Sequence, residues 1–301
     1  MEALNTGAEK PLVSIIITTF NRRDFIIEAV ESALAQTYEN VEVIIVDDGS
    51  TDGTGGLIRK TYGNDSRVSY YYKENGKRAS AFNLGFEMSK GKFIAILDSD
   101  NRYKPERVET GMNALLENPG FDISYGDIIT IDEAGTEIHR KNMRRYSGSI
   151  SEQLIYDNCV SINTALVPRY CFEDLGLMDV SYKRSDDYEL WLRFSTRYRF
   201  LYIPKFLAEY RVMENQLSSN TLGRLDVNLK LIDDFRLKYG DRVGEESFRK
   251  ALCRIHALKS IHYSKNKERA LAMKEFLRAF KNKPLGRVTL KSLVFLFGFR
   301  K

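Results

Sequence analysis

The sequence predicts an α/β fold with a mostly parallel central sheet, helices on both of its faces, and a further helical region at the C-terminal end. Three observations predict it. Short β-rich apolar runs alternate with helical patterns over the first 120 residues, which is typical of βαβ units. The run Val43–Val46 is apolar at every position, as in a strand covered on both faces. From Leu222 onwards the pattern is helical throughout.

The α/β part is predicted to contain five strands separated by four helices, with short connections. The expected strands are Val13–Thr18, Glu42–Val46, Val68–Tyr72, Phe93–Leu97 and Asp122–Tyr125. The expected helices are Asp24–Gln36, Thr54–Tyr62, Arg78–Met88 and Pro105–Glu117. Pro105 is compatible with the start of the last of these helices, because proline is tolerated in the first turn of a helix.

The alternation of strands and helices stops after Gly126. Ile128–Asp132 and Thr136–His139 flank a Glu-Ala-Gly turn, which predicts a hairpin. The α/β part should then end with one helix and two extended segments, Asp186–Thr196, Phe200–Ile203 and Leu207–Val212. Breaks between the C-terminal helices are expected at Gly240, Asn266 and Pro284.

The net charge of +5 is distributed unevenly along the chain. Residues 224–301 contain 20 Lys and Arg against 8 Asp and Glu, a net charge of +12, whereas residues 1–223 contain 26 against 33, a net charge of −7. We therefore expect two regions with different partners. The acidic part is too negative for a general nucleic-acid binder, so no nucleic-acid partner is expected.

The composition predicts a cytoplasmic protein. No uninterrupted apolar run exceeds five residues, whereas roughly 20 are needed to span a bilayer. Residues 1–10 show no basic segment followed by an apolar one, so we expect a flexible N-terminus without a secretory signal. Cys159, Cys171 and Cys253 are odd in number and widely spaced, which supports neither a disulfide framework nor a zinc site.

Polar residues follow three of the predicted strands. Thr18 to Arg22 come after the first strand, Asp47 to Ser50 after the second and Asp98 to Asn101 after the fourth. Ligands of an open parallel sheet bind outside the carboxyl ends of its strands. The sequence therefore predicts that these three clusters meet in one site.

Asp98 and Asp100 are separated by one residue at the end of the apolar run FIAIL. Burial of two carboxylates there costs desolvation free energy unless a cation or hydrogen-bond donors compensate. Mg²⁺ and Mn²⁺ prefer oxygen ligands and commonly lie between carboxylates and the phosphates of a nucleotide. The alternative is a solvated loop with capping aspartates, which the position at a strand end disfavours.

Asp48 lies in a cluster that can also be interpreted as a simple turn, with Ser50 or Asp52 capping the next helix. A carboxylate held there could accept the imide N–H of a uracil or thymine as well. The nearby glycines match neither the phosphate-loop nor the dinucleotide-binding pattern. ATPase and dinucleotide-binding functions are therefore disfavoured.

Together these segments resemble the family 2 glycosyltransferases, which use nucleotide sugars and have the Rossmann-like GT-A fold. The similar segments are VSIIITTFNR, LAQTYENVEVIIVDDGSTDGT, ENGKRASAFNLGFEMSKGKFIAILDSDN, DLGLMDVSYKRSDDYELWLRF and YRVMENQLS. The resemblance implies a GT-A catalytic domain at residues 11–220, and it leaves residues 221–301 as a basic helical C-terminal region.

The resemblance also implies roles for single residues. Thr18 and Asp48 would contact the nucleotide base, and Asp100 would be the principal ligand of Mn²⁺ or Mg²⁺. Asp98 would hold either the ribose or the metal. The full set of implied nucleotide-binding residues is Thr18, Phe20, Arg22, Asp48, Lys77, Arg78, Asp98 and Ser99, with Arg22, Lys77 and Arg78 near the base or the diphosphate.

Asp187 matches the general base of the family, as the second acid of an Asp-Asp pair. The alternative for Asp186 and Asp187 is a negative charge favoured at a helix N-terminus. Trp191 shares a helix face with Asp187 and is more readily explained as a packing residue. Asp186, Trp191 and Arg211 are retained as candidate contacts of donor or acceptor.

The implied reaction is transfer of a single sugar, hexosyl or N-acetylhexosaminyl, with inversion at the anomeric carbon. The expected donor is a nucleotide sugar, with UDP favoured, and the expected acceptor is a hydroxyl of a glycan or lipid-linked sugar in bacterial surface polysaccharide synthesis. Asp187 would take the proton of that hydroxyl. The Q-x-x-R-W motif of processive synthases is absent, which favours single transfer over polymerisation.

Two other functions compete with this one. A sugar nucleotidylyltransferase would need a glycine-rich loop after the first strand, which Thr18 to Arg22 do not form. A non-catalytic sugar-binding relative is favoured by Met213, which stands where the family usually has histidine and is a poor ligand for hard cations. The acidic residues retained at the strand ends and at Asp187 argue against it.

The C-terminal end combines basic and apolar residues. The basic residues Arg278, Lys281, Lys283, Arg287, Lys291, Arg300 and Lys301 surround the apolar residues Leu290, Leu293, Val294, Phe295, Leu296, Phe297 and Phe299. Such a helix can lie in an anionic membrane interface. Alternatively, its apolar side docks on the catalytic domain or on a second subunit. Similar proteins that act on lipid-linked sugars favour a peripheral position at the inner face of the membrane.

Overall fold

The computed structural model describes residues 10–141, 146–213 and 220–297. The predicted flexible N-terminus lies outside these residues except for Lys10. Phe299, Arg300 and Lys301 of the basic C-terminal set lie outside them as well.

The nine strands found within the described residues form one sheet. They are β1 (Val13–Thr19), β2 (Val41–Asp47), β3 (Val68–Tyr72), β4 (Phe93–Asp98), β5 (Arg102–Tyr103), β6 (Ile123–Ile131), β7 (Glu137–Lys141), β8 (Leu166–Pro168) and β9 (Phe200–Arg211). Their order is β3-β2-β1-β4-β8-β6-β9-β5, and β7 pairs with β6. β3, β2, β1 and β4 are parallel to one another, and so are β6 and β9, whereas β5, β7 and β8 pair antiparallel.

Eleven α-helices lie in the described part of the chain. They are α1 (Ile26–Leu34), α2 (Thr54–Tyr62), α3 (Lys77–Met88), α4 (Arg107–Glu117), α5 (Ser151–Tyr156), α6 (Arg169–Leu175), α7 (Asp186–Ser195), α8 (Thr221–Tyr239), α9 (Glu245–Lys265), α10 (Arg269–Asn282) and α11 (Arg287–Leu296). The predicted fold class is confirmed, including its C-terminal helical region.

The centre of the sheet is covered on both faces. Ile15, Ile16 and Ile17 are all 0% exposed. Successive side chains of a strand point to opposite faces of the sheet, so full burial of three in a row requires layers on both sides. This is why β1 and β2 are continuous apolar runs in the sequence.

The chain forms two compact units. The first, here called the sheet unit, comprises Met1–Ile150 and Cys159–Met213, and the second, the helical unit, comprises Ser151–Asn158 and Glu214–Lys301. The domain boundaries expected from the sequence, at 11–220 and 221–301, stay a prediction. In addition, the short helix α5 belongs to the same compact unit as the C-terminal helices.

Two strands are longer than the sequence predicts. The separate segments expected at Phe200–Ile203 and Leu207–Val212 are one strand, β9, and β6 likewise runs continuously through the position where a break was expected. The pairing of β6 with β9 shifts register between Gly126 and Ile128, opposite Pro204 and Lys205. A bulge interrupts the alternation of side chains without ending a strand, and proline is tolerated there.

Several shorter elements carry no clear sequence pattern and were not expected. They are β5, β8, α5 and α6. The predicted hairpin, in contrast, is confirmed as the antiparallel pair of β6 and β7.

The helical unit contains α8 to α11, with the breaks close to the three predicted positions. A short 3₁₀ helix, Gly240–Arg242, separates α8 from α9. None of the helices in the described ranges combines the length and the apolar character that a membrane span requires.

Helix α3 packs closely on the sheet at Gly85. A methyl group added at this position would lie 2.6 Å from Cγ2 of Ile16 and 3.2 Å from Cγ2 of Val46. Both neighbours are stiff β-branched side chains with 0% exposure, so neither can move aside easily. Glycine at this position therefore sets how near α3 lies to β1 and β2.

We predict that Gly85→Ala lowers the free energy of unfolding by about 1–3 kcal/mol, the usual cost of overpacking. Gly56→Ala in α2 is the matched control, because no heavy atom lies within 4 Å of its added methyl group. That variant should keep or raise stability, since alanine is favoured over glycine in a helix by up to about 1 kcal/mol. Denaturant unfolding of both variants checks this, and equal stabilities would contradict the close approach of α3.

Candidate active site

The ends of three parallel strands bring the predicted site residues together. Thr18 pairs with Asp98 across β1 and β4, and Thr19 pairs with Asp47 across β1 and β2. The clusters that follow β1, β2 and β4 therefore start at the same edge of the sheet. This placement follows from the parallel register, which the sequence pattern predicted.

The guanidinium group of Arg78, at the start of α3, lies among three carboxylates. Its Nη1 is 3.3 Å from Oδ1 of Asp98 at the end of β4. Its Nε is 3.0 Å from Oδ2 of Asp186, and its Nη2 contacts the other oxygen of Asp186 and lies 3.3 Å from Oδ1 of Asp187. One cation thus joins the edge of the sheet to the N-terminus of α7. The predicted contact of Arg78 with base or diphosphate stays a prediction.

The protonation of this group reflects burial and charge together. Burial opposes the charged form of Arg78, but the charges of Asp186, Asp98 and Asp187 raise its pKa well above the ordinary value. Burial raises the pKa of Asp187, with Arg78 acting in the opposite direction. A raised pKa makes Asp187 a stronger base than an ordinary aspartate.

The two acids of α7 differ in accessibility. The side chain of Asp186 is 6% exposed and both of its oxygens bond to Arg78, whereas the side chain of Asp187 is 21% exposed. Asp186 therefore serves to hold the guanidinium group. Asp187 is the acid with surface available to a substrate.

Asp98 is fixed by two asparagines. Asn163 donates from Nδ2 to Oδ2 of Asp98 at 3.0 Å, and its Oδ1 accepts the backbone N–H of Asp98 at 2.9 Å. Asn101 donates to the same Oδ2 at 3.3 Å. Asn163 lies 65 residues from Asp98 and belongs to no local motif, so no sequence pattern predicts its contact with Asp98.

Among the residues that the structure describes, Asp100 forms one ion pair, with Arg22, whose Nε is 3.3 Å from its Oδ2. Burial and then the charge of Asp98 raise the pKa of Asp100, while Arg22 lowers it. Negative charge is therefore incompletely compensated at this position. Within the described residues no group of three or more His, Cys, Asp or Glu side chains could hold a metal ion by itself.

Asp48 is buried and holds the segment that leads into α3. Its Oδ1 accepts from Nζ of Lys73 at 2.9 Å and from the N–H of Gly76 at 2.8 Å, and its Oδ2 accepts from the N–H of Lys77 at 2.8 Å. Asn75 also donates to the carbonyl oxygen of Asp48. A carboxylate oxygen has two lone pairs, so Oδ2 retains acceptor capacity. The base contact expected from the sequence stays a prediction, with Oδ2 as its acceptor.

Three non-glycine residues at the site have left-handed backbone conformations. They are Asn21 (φ 51°), Lys77 (φ 72°) and Ser185 (φ 56°). Such conformations persist only where surrounding contacts fix them, and they are common in binding sites. Asn21, for example, donates its N–H to Ser50 and accepts the N–H of Thr51 at its side-chain oxygen.

The remaining predicted nucleotide-binding residues differ in exposure. Phe20 is 46% exposed beside the end of β1, and Lys77 is also exposed. Thr18 is partly buried and Ser99 is buried. Phe20 and Lys77 therefore offer accessible side chains, whereas Ser99 lies beneath the surface.

Trp191 and Arg211 lie in the core of the sheet unit. Trp191 is 0% exposed and packs edge-on against Phe194 and Phe200. Arg211, 1% exposed, donates from Nε to the carbonyl oxygen of Asp100 at 3.0 Å and from Nη2 to Oε2 of Glu28 at 2.6 Å. In this arrangement neither side chain reaches the surface of the site, so both support it from within.

Comparisons with known proteins identify related sequences. The family model Glycosyl transferase family 2 matches residues 14–173. An uncharacterized glycosyltransferase of Rickettsia typhi is 36% identical over 226 residues, which cover 72% of this chain and 69% of the relative. The putative teichuronic acid biosynthesis glycosyltransferase TuaG of Bacillus subtilis is 31% identical over 218 residues, covering 70% of this chain and 83% of that one.

Solved structures share the fold at lower sequence identity. S. aureus TarS 1-349 in complex with UDP-GlcNAc superposes with a TM-score of 0.62 at 17% identity, covering 91% of this chain and 92% of that chain. The mannosyltransferase PcManGT of Pyrobaculum calidifontis in complex with GDP-Man and Mn²⁺ has a TM-score of 0.64 at 16% identity, covering 100% of this chain and 79% of that chain.

We predict that Arg78→Gln lowers stability, because it leaves the carboxylates of Asp98, Asp186 and Asp187 without their cation. Adding Asp186→Asn should recover part of the loss, with a coupling energy of about 0.5–3 kcal/mol in a double-mutant cycle. The exposed pair of Arg140 and Glu137 on β7 is the control and should show no measurable coupling. Additive effects of Arg78→Gln and Asp186→Asn would contradict the arrangement described here.

Proposed function

Because the chain belongs to the family 2 glycosyltransferases, we propose that it transfers a single sugar from a nucleoside-diphosphate sugar to an acceptor hydroxyl, with inversion at the anomeric carbon. The observation that carries the proposal is the meeting of Asp98, Asp100 and Asp187 at the carboxyl edge of the parallel strands. One carboxylate can act as a base there, while the other two would hold a divalent cation that offsets the negative charge of the donor's diphosphate.

The related proteins support the choice of donor and setting. A fold neighbour was solved with UDP-GlcNAc and another with GDP-Man. The relatives include a putative teichuronic acid biosynthesis enzyme and, at 45% identity over 107 residues, chondroitin synthase of Pasteurella multocida. We propose a UDP-sugar as donor, hexosyl or N-acetylhexosaminyl transfer, and a glycan or lipid-linked acceptor in bacterial surface polysaccharide synthesis.

Asp187 is the proposed general base. An acceptor hydroxyl is a weak nucleophile, and a carboxylate within about 3 Å can take its proton as the bond to the anomeric carbon forms. The raised pKa of Asp187 suits this role, and Asp186 keeps Arg78 in place beside it. A single displacement of this kind inverts the anomeric carbon.

Asp100 and Asp98 are proposed to hold Mn²⁺ or Mg²⁺. Their oxygen atoms are the ligand type that these ions prefer, and the incompletely compensated charge of Asp100 fits a divalent cation. When bound, such an ion would stabilise the negative charge of the departing diphosphate. Two carboxylates do not complete an octahedral shell, so the donor's phosphates and water would supply the other ligands. Met213 is not expected among them.

We predict that Asp187→Asn folds and binds the donor nucleotide as the wild type does, but reduces sugar transfer by about 10²–10⁴-fold, the usual contribution of a general base. Glu189→Gln is the matched control, since Glu189 lies on the same helix and pairs with Arg193 instead of Arg78. Calorimetry measures nucleotide binding, and release of nucleoside diphosphate measures turnover. Unchanged turnover of Asp187→Asn would place the base elsewhere.

We further propose that the protein is cytoplasmic and associates peripherally with an anionic membrane through its helical unit. Helix α10 exposes the apolar residues Met273, Leu277 and Phe280 at positions i, i+4 and i+7. The same spacing relates Leu290 and Val294 of α11 to Phe297, which directly follows that helix. Such spacing places each set on one helix face. Lys274, Lys281 and Lys291 are exposed on the same helices, which complements anionic headgroups.

We predict that the double variant Leu277→Ser/Val294→Ser binds anionic vesicles less than the wild type, because each change removes apolar surface available for insertion. Binding of the wild type should also weaken as salt screens the basic residues. Leu237→Ser on α8 is the control, since Leu237 is 86% exposed and belongs to neither apolar set. Equal co-sedimentation of the double variant and the wild type would remove the membrane proposal.

A further inference from the structure

A small cavity in the helical unit is lined by four basic side chains. Its volume is about 270 Å³, and its basic residues are Lys250 and Arg254 of α9, Lys283 of the α10–α11 connection and Arg287 at the start of α11. The volume lies just below the roughly 300 Å³ at which pockets for drug-sized ligands begin. The cavity therefore has room for a small ligand only, and we call it the basic cleft.

The charges of the basic cleft are not balanced by its own neighbours. Oε1 of Glu246 lies 3.6 Å from Nζ of Lys250 and 3.1 Å from Nζ of Lys283, so one carboxylate pairs with two ammonium groups. Asp157 accepts from Arg254 at 2.7 Å. Arg287 forms no ion pair with any side chain in the part of the chain that the structure describes. Four cations thus face two carboxylates.

The cleft is also held in shape. Cys253 and Thr289 contact each other at 3.0 Å through Sγ and Oγ1, and the hydroxyl of Thr289 donates to the carbonyl oxygen of Lys283 at 2.9 Å. These two contacts fix the α10–α11 connection against α9. The guanidinium group of Arg254 lies 5.3 Å from the centre of the Tyr156 ring, which restricts its position as well.

We propose that the basic cleft binds a phosphoryl group. Like charges brought together repel each other, and an anion with several oxygen acceptors relieves that repulsion while accepting bonds from ammonium and guanidinium groups. Arg287 and Lys283 supply the strongest part of the site, because Arg287 has no carboxylate partner among the described residues and Lys283 shares Glu246 with Lys250. The phosphoryl group belongs to a lipid headgroup or to a small soluble phosphate. This inference concerns the helical unit alone and holds whether or not the proposed glycosyl transfer is correct.

The test compares two double variants that remove the same charge. Lys283→Gln/Arg287→Gln removes two cations of the cleft, and Lys238→Gln/Arg249→Gln removes two exposed cations of α8 and α9 that do not line it. Inorganic pyrophosphate is titrated into each full-length protein by calorimetry in EDTA. A diphosphate site in the sheet unit is unaltered in both variants, so the difference between them reports on the cleft.

We expect the cleft variant to weaken pyrophosphate binding at least ten-fold at one site, while the surface variant binds as the wild type does. Equal losses in the two variants, or no saturable binding attributable to the cleft in the wild type, would overturn the proposal. Vesicles with and without phosphatidic acid then identify the source. A lipid headgroup is supported if phosphatidic acid increases binding of the surface variant but not of the cleft variant, and a soluble phosphate is supported if both bind those vesicles equally.

Discussion

The contact of Arg78 with three carboxylates is the interaction on which the proposed active site depends. Asp98 comes from the end of β4, whereas Asp186 and Asp187 come from α7, more than a hundred residues after Arg78 in the chain. Three carboxylates this close repel one another, and without a cation the buried members would favour protonation. The planar guanidinium group reaches all three because its donors form a fork, which a lysine ammonium group does not provide. The same contact brings α7 to the edge of the sheet.

The strands and side chains around Arg78 have different roles. The parallel register of β1, β2 and β4 aligns the strand ends, and Asp48 fixes the connection through Lys73 to Lys77 that delivers Arg78. Asn163 donates to Oδ2 of Asp98, the oxygen that Arg78 does not contact. Asp187 and Asp100 are left as the less compensated acids, one suited to a proton and the other to a cation. With this division, one carboxylate-rich site would provide both the proposed cation site and the proposed general base.

The sequence could predict the strand-end clusters because two simple rules govern them. Apolar runs identify buried strands, and parallel strands present their carboxyl ends at one edge. The partners of Arg78 could not be predicted in this way, because they depend on where α7 lies against the sheet. Asn163 was missed for the same reason. The continuity of β6 and β9 was missed because their bulge, opposite Pro204 and Lys205, looks like a strand end when only the local pattern is considered.

Incompletely compensated acids at the sheet edge are proposed to bind a nucleoside diphosphate together with a divalent cation. Calorimetric titration of UDP, GDP and dTDP into the wild type and Asp100→Asn, each with Mn²⁺ and with EDTA, tests this proposal. We expect Mn²⁺ to tighten binding of at least one of these nucleotides to the wild type and to have little effect on Asp100→Asn. The same affinity for both proteins with Mn²⁺ present would contradict it.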